Sequence, residues 1–173
     1  MQKEFVKLPD PKIRQVSDEV VAFDKSLNQL AADLVAVSEI QTDPPALGMA
    51  APQIGVFKRV FVAKIRNKFR TFVNAKIIKS SQKEGTYLEG CFSVTGIYGQ
   101  VRRPLEVTIE AQDISGKKIG GTYKGMAARI LQHEIDHLNG RLFVDHLSDQ
   151  NGKLFRVEKD KEGKEELVET TLV

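Results

Sequence analysis

The chain has 173 residues and a mass of 19.3 kDa, enough for one compact domain and too little for two ordinary ones. Apolar residues make up 41% and charged residues 28%, a globular balance that excludes wholesale disorder. A net charge of +3 is too small an excess to predict a nucleic-acid binder, and no apolar run is long enough to span a bilayer. The first 20 residues lack the apolar stretch of a secretory signal. Cys91 is the one cysteine, so no internal disulfide can form, and a reducing, cytoplasmic setting is expected.

In chain order, Leu8-Pro9-Asp10-Pro11 reads as a rigid turn. Residues 24–40 read as a helix: Leu27, Leu30, Leu34 and Val37 recur at three- and four-residue steps, and Asp24 is placed to cap the start. Asp43-Pro44-Pro45 stops helical structure, because proline lacks the N–H and restricts its predecessor. Residues 56–65 and 69–78 are rich in β-branched and aromatic side chains and read as strands around a tip at Arg66-Asn67-Lys68. Residues 105–111 alternate as a half-buried strand; Asp113 to Gly116 turns, and residues 117–123 return. Residues 126–138 switch to a helical period, with Asn139-Gly140 as the terminator. Residues 153–173 read as a charged hairpin tail of the same single domain, 1–173. Helix, antiparallel strands, then helix is an α+β order, not a doubly wound α/β sheet.

The sharpest chemical signal is His133-Glu134-Ile135-Asp136-His137. Two histidines four apart share one helix face, about 6 Å apart at Cβ. They can converge on one metal ion, while Glu134 reaches a bound water without being a ligand. A catalytic site needs a third protein ligand and an open position. Phe143 stands where a metzincin peptidase would place its third histidine, and His146 comes about one helical turn too late. Glu158, Glu162, Glu165 and Glu166 are downstream candidates of the kind a zinc endopeptidase uses, but they fall in the expected tail hairpin. Upstream, Cys91 admits three readings: a buried apolar residue, a nucleophile, or the third ligand. Small residues from Gly48 to Gly55 surround one amide, Gln53, which could donate to a developing oxyanion.

Three ordered segments, Gly48 to Gln53, Glu89 to Ser93 and Gln132 to His137, together resemble peptide deformylase. The resemblance extends through Leu8 to Arg14, Asn74, Gly125 and Asn139 to Phe143, and covers about residues 5–147. It implies a compact α+β domain with antiparallel β-sheets around a central helix that carries the two histidines, with an N-terminal helix before it. It implies a metal-dependent amidohydrolase that removes the N-formyl group from the formyl-methionine of new polypeptides and releases formate. By motif, Cys91, His133 and His137 would hold one divalent metal, physiologically Fe(II) in this family. The donor set also accepts Zn, Ni or Co. Glu134 would take the proton of the attacking water and pass it to the departing amine. Gln53 and the backbone N–H of Phe92 would stabilise the oxyanion. Gly48 and Gly90 would pair with the peptide backbone, and Met126 and Ile130 would wall the methionine pocket. Glu89 with Arg102 or Arg103, and Asp136, would fix ligand geometry from behind.

The sequence departs from the family pattern at Ala46, where a glycine is usual, at Phe92 for leucine, and at Thr95 for proline. The partners expected from the resemblance are formyl-methionyl nascent peptides, with no membrane and no specific nucleic acid; a transient ribosome contact is a minority reading that rests on charge alone. The cluster Lys58, Arg59, Lys64, Arg66, Lys68 and Arg70 reads as a solvated face. Two other readings remain at this point: a zinc endopeptidase using the same helix, and a formyl-peptide-binding module whose site is catalytically vestigial.

Overall fold

A computed structural model describes residues 4–171. Residues 1–3 of the expected domain and residues 172 and 173 of the expected tail lie outside the described residues. The first half runs α1 (Lys25–Glu39), β1 (Gly48–Ala50), β2 (Val60–Ile65), β3 (Lys68–Ser80) and β4 (Glu84–Cys91). It continues through β5 (Val94–Pro104), β6 (Glu106–Gln112), β7 (Lys118–Lys124), α2 (Gly125–Leu138), α3 (Phe143–Gln150), β8 (Leu154–Lys159) and β9 (Glu165–Thr170). The strands form a five-stranded sheet, β1-β2-β3-β6-β7, and a four-stranded sheet, β4-β5-β8-β9. Neighbouring strands run antiparallel, with β7 pairing with β6 over its whole length. The architecture is α+β.

The larger sheet is covered on both faces. Val60 and Val62 of β2 pack with Leu27 and Leu34 of α1, while Phe61 and Ala63 pack with Leu131, Ile135 and Leu138 of α2. That two-sided burial explains the unbroken apolar run of β2. Asp24 caps α1 by accepting from the backbone N–H groups of Ser26 (2.9 Å) and Leu27 (3.3 Å). The β2–β3 turn holds Arg66 and Asn67 at φ +50° and +64°, the left-handed pair that two-residue hairpins require. A second core joins Val94 and Val101 of β5 to Phe143, Val144 and Leu147 of α3. Helix α2 lies between the two sheets and touches strands of both.

Three features differ from the sequence reading. The strands β4 and β5 were not marked by alternation, because Gly85, Gly90, Gly96 and Gly99 interrupt the apolar period with residues that have no side chain to bury. Helix α3 is only eight residues long, too short for a clear helical period. Arg59 is not part of a solvated face. Its guanidinium donates to Ala75 O (2.9 Å), Asn139 Oδ1 (2.9 Å) and Leu138 O (3.4 Å), placing a cation at the C-terminal end of α2, where the helix dipole favours positive charge. At Ala46, a buried residue, φ is not in the left-handed region, so its Cβ causes no backbone strain.

Asp145 ties the N-terminal segment to α3. It accepts both Arg14 Nη atoms, at 2.8 and 2.9 Å, and the backbone N–H of Leu142 at 2.8 Å. Burial alone would raise its pKa, but the hydrogen bonds from Arg14 and Leu142 and the nearby guanidinium charges prevail, and the net direction is downward. A carboxylate with a lowered folded pKa stabilises above its unfolded pKa, about 3.9, and loses that contribution as pH falls through the lower folded value. Asp145→Ala should therefore cost about 1–2 kcal/mol at pH 7, mostly through the lost cap, since exposed ion pairs contribute little. Urea titrations at pH 7 and near pH 2.5 check this: the difference between variant and parent should shrink at the acid end.

Candidate metal centre

Helix α2 presents His133 and His137 on one face, with ring centroids 5.1 Å apart. Cys91 ends β4, and its Sγ lies 3.3 Å from His137 Nε2. One ligand atom from each of Cys91, His133 and His137 falls within 4.8 Å of the others, and this is the one such group of three potential metal ligands among the described residues. Burial opposes the thiolate, but the charge of His137 and hydrogen bonds from both imidazoles lower the Cys91 pKa well below its ordinary value. The thiolate is the form that ligates. One thiolate and two imidazoles are a donor set that fits a divalent transition metal and leaves a coordination position open.

Gln53 sits at the sulfur from the other side. Its Oε1 accepts from Ala50 N at 2.9 Å, which fixes the amide so that Nε2 points to Cys91 Sγ and Ser93 Oγ, each at 3.4 Å. The Ser93 backbone N–H also donates to the sulfur at 3.4 Å. Gln53 is held in place by a short 3-10 turn, Ala51–Ile54, that follows β1 directly.

Behind the ligands lies a buried charge network. Glu89 of β4 accepts from Arg103 Nε (2.7 Å) and Nη2 (3.0 Å) and from Arg129 Nη1 (2.6 Å). Its Oε2 also lies 2.9 Å from His133 Nδ1. Burial raises the Glu89 pKa, yet hydrogen bonds from His133 and Arg103 hold it well below the usual carboxylate range. With Nδ1 engaged, His133 turns its other nitrogen toward Cys91. Arg103 Nη1 continues to Asp136 Oδ2 (2.6 Å), which also lies 2.8 Å from His146 Nε2.

Glu134 is buried, and its Oε2 has no hydrogen-bond partner among the described residues. Burial pushes its pKa up to about 7, against the pull of the His133 and His137 charges. The carboxyl borders a cleft of about 450 Å³. Gln53, Cys91, Phe92, His133 and Glu134 line its reactive end. Gly48, Gly90, Met126 and Ile130 line it too, and Leu47 and Leu88 add exposed apolar surface. At two of these positions a side chain would force a neighbour to move. A Cβ on Gly48 would stand 2.7 Å from Glu134 Cδ, and one on Gly90 would stand 2.8 Å from Tyr98 Cδ1. Phe92 is anchored by stacking on Phe5, with centroids 5.4 Å apart.

The structure thus brings the expected catalytic and substrate-binding residues, Cys91 and His133 to the lining of one cleft; the third ligand, His137, is buried and does not line it. It also separates the two arginines: Arg103 reaches Glu89, while Arg102 pairs with Glu84 at 3.0 Å on the surface. The sequence reading missed Arg129 and His146 as members of the network. Arg129 stands four residues before His133, the helical spacing that puts it on the ligand face. His146 was weighed only as a metal ligand, and its bond to Asp136 depends on how α3 docks. Glu89→Ala should cost about 3–5 kcal/mol, because it leaves the buried Arg129 guanidinium without its carboxylate and takes two of the hydrogen bonds of the buried Arg103. Guanidinium chloride unfolding followed by circular dichroism checks this, and a loss under 1 kcal/mol would show that the network is structurally idle.

Residues 2–153 match the family model for polypeptide deformylase. The peptide deformylase of Rhizobium meliloti is 41% identical over 151 residues, which span 84% of this chain and 85% of the relative. That of Brucella suis matches at 41% over the same shares. Among solved structures, the peptide deformylase of Legionella pneumophila has a TM-score of 0.79 and 40% identity, covering 87% of this chain and 88% of that one. A G41Q mutant of Arabidopsis thaliana deformylase 1B has a TM-score of 0.79 and 38% identity, covering 85% of this chain and 82% of that one. With its motifs, its fold and its Cys-His-His centre all in agreement, the chain belongs to the polypeptide deformylase family.

Proposed function

We propose that this chain hydrolyses the formamide bond of N-terminal formyl-methionine on nascent polypeptides, releasing formate and a free amino terminus. The observation that carries the proposal is the meeting of Cys91 with His133 and His137 beside a buried, unpartnered Glu134 in an apolar cleft. Cys91, His133 and His137 would hold one divalent metal, with Fe(II) as the physiological ion and Zn, Ni or Co as competent substitutes. When bound, it would supply Lewis acidity that brings a water to ionisation near neutral pH.

The protein's own groups supply the rest. Glu134 Oε2 takes a proton from the attacking water and returns it to the amine nitrogen as the carbon–nitrogen bond breaks. Its position near the reacting centre is guarded by Gly48, whose missing side chain leaves room for the carboxyl. Gln53 Nε2 and the backbone N–H of Phe92 donate to the formyl oxygen as it gains charge. The two weak 3.4 Å contacts of Gln53 Nε2 are easily exchanged for a bond to an oxyanion. Strands β1 and β4 are the edges of their sheets, so the backbones at Gly48 and Gly90 can pair with an extended peptide. Met126 and Ile130 of α2 wall the pocket for the methionine side chain. A transient ribosome contact would fall to the exposed Arg66, Lys68 and Arg70 at the β2–β3 turn, and the reaction would take place in the cytoplasm.

The endopeptidase reading is not favoured. It needs a downstream glutamate near the histidines, whereas Glu158, Glu165 and Glu166 lie on the β8–β9 hairpin and take no part in the ligand group. Nor is a vestigial site favoured, since Glu134 and Gln53 are both present beside the ligand group.

Formate release from formyl-Met-Ala-Ser by anaerobically Fe(II)-loaded protein tests the proposal. Glu134→Ala should lower kcat by about 10²–10⁴-fold, the usual weight of a general base. Full activity in that variant would reject Glu134 as the base, and no formate from the metal-replete parent would sink the hydrolase itself. Separately, Cys91→Ser should lose or sharply weaken metal retention through dialysis against a chelator, read by elemental analysis. A peptidase using only the helix and a tail glutamate would keep its metal.

A further inference from the structure

The N-terminal segment contributes an unassigned wall to the cleft. Val6 N donates to Gln53 O at 2.8 Å and Leu8 N to Ser93 O at 2.9 Å, so residues 6–8 run beside the amide and the turn after Cys91. The extended backbone alternates. Val6 and Leu8 pack into the core beneath α3, while Phe5 and Lys7 line the cleft, and Phe5 holds Phe92.

Charge is scarce on this surface. Glu89 and Arg129 are buried in mutual ion pairs, His133 bonds Glu89, and Glu134 is buried at the reactive end. The first part of β5 continues the wall with Thr95, Gly96, Ile97 and Tyr98, all uncharged. Lys7 is thus the one exposed charged side chain among the residues lining the cleft, and it makes no ion pair or side-chain hydrogen bond among the described residues. Lys7 lines the same cleft as Phe92, and the residue after it, Leu8, is hydrogen-bonded to Ser93, which directly follows Phe92.

We propose that Lys7 is a specificity-determining residue that favours substrates carrying a carboxylate shortly after the formyl-methionine. This rests on the deformylase reading above. The carboxylate can be an aspartate or glutamate side chain, or the free terminus of a short peptide. An ammonium at the rim of an apolar cleft attracts such a group without pairing it tightly, and repels a lysine or arginine at the same place.

The test compares kcat/KM for C-terminally amidated formyl-Met-Ala-Asp-Ala, formyl-Met-Ala-Asn-Ala and formyl-Met-Ala-Lys-Ala. A second arm compares formyl-Met-Ala-Ala with free and amidated termini, which separates the two carboxylate sources. At low salt the parent should prefer the aspartate over the lysine peptide by about three- to fivefold, with the preference shrinking at about 0.5 M salt as screening sets in. Lys7→Glu should invert the ratio, and Lys7→Arg should keep it. Each ratio is taken within one preparation, so partial unfolding of a variant cancels. A preference for the free terminus alone, lost in Lys7→Glu, supports the carboxylate site with the terminus as its source. Active parent enzyme with no charge preference in either arm, or a preference that Lys7→Glu leaves intact, overturns the role of Lys7 and leaves the deformylase reading standing. Absence of formate from every peptide overturns both.

Discussion

One buried carboxylate organises this protein. Glu89 receives two nitrogens of Arg103, one of Arg129 and faces the Nδ1 of His133, so a single side chain of β4 joins β5 and two turns of α2. Buried ion pairs are poor sources of net stability, because desolvation consumes most of their attraction. Their directional value is larger. The planar fork of Arg103 fixes the orientation of Glu89, and Glu89 in turn fixes the ring of His133. Two backbone carbonyls, Val101 O at 2.9 Å and Gly85 O at 2.7 Å, complete the set on Arg129 and bind it to both strands of the hairpin that carries Cys91. The thiolate and the imidazoles therefore meet because the hairpin and the helix are bolted together two residues before the sulfur.

The same construction separates the tasks of two carboxylates. Glu89 is surrounded by cations and stays ionised; Glu134, on α2, is buried without a hydrogen-bond partner on Oε2 among the described residues and has its pKa raised to about 7. A carboxyl held near neutrality can both accept and return a proton at working pH, whereas one locked in a lattice of guanidinium groups can only orient its neighbours. Environment, not residue type, makes one a proton carrier and the other a brace.

The sheets explain why a peptide fits here. Strands β1 and β4 are edges, one from each sheet, and both border the cleft. Exposed edges are normally a liability, since they invite pairing with other chains. In this fold Gly48 and Gly90 leave room at those edges for Glu134 and the Tyr98 ring, which occupy the volume that side chains there would need. The liability becomes a place for an extended substrate, with α2 closing one wall and the N-terminal segment another.

Much of this was written in local patterns. Helices α1 and α2, the β2–β3 and β6–β7 hairpins and the four-residue spacing of His133 and His137 follow from periodicity, capping and turn chemistry, all of which act within a few residues. The same is true of Glu134, whose place beside the histidines is set by the helix alone. What local pattern could not decide was which distant groups meet. Spacing left Cys91 open between core residue, nucleophile and ligand; the motif resemblance proposed ligation, and the packing of β4 against α2 placed its sulfur 3.3 Å from His137. Arg102 and Arg103 are adjacent and chemically identical, and only the alternation of β5 between the core and solvent sends one to Glu89 and the other to the surface. Arg129 and His146 joined the network unseen, because their polar partners lie 40 residues and 10 residues away in the chain. Elements with a clear period or cap are short-range properties and could be read from the chain, while β4, β5 and α3 could not; the centre is a set of long-range contacts, decided by how two sheets close on one helix.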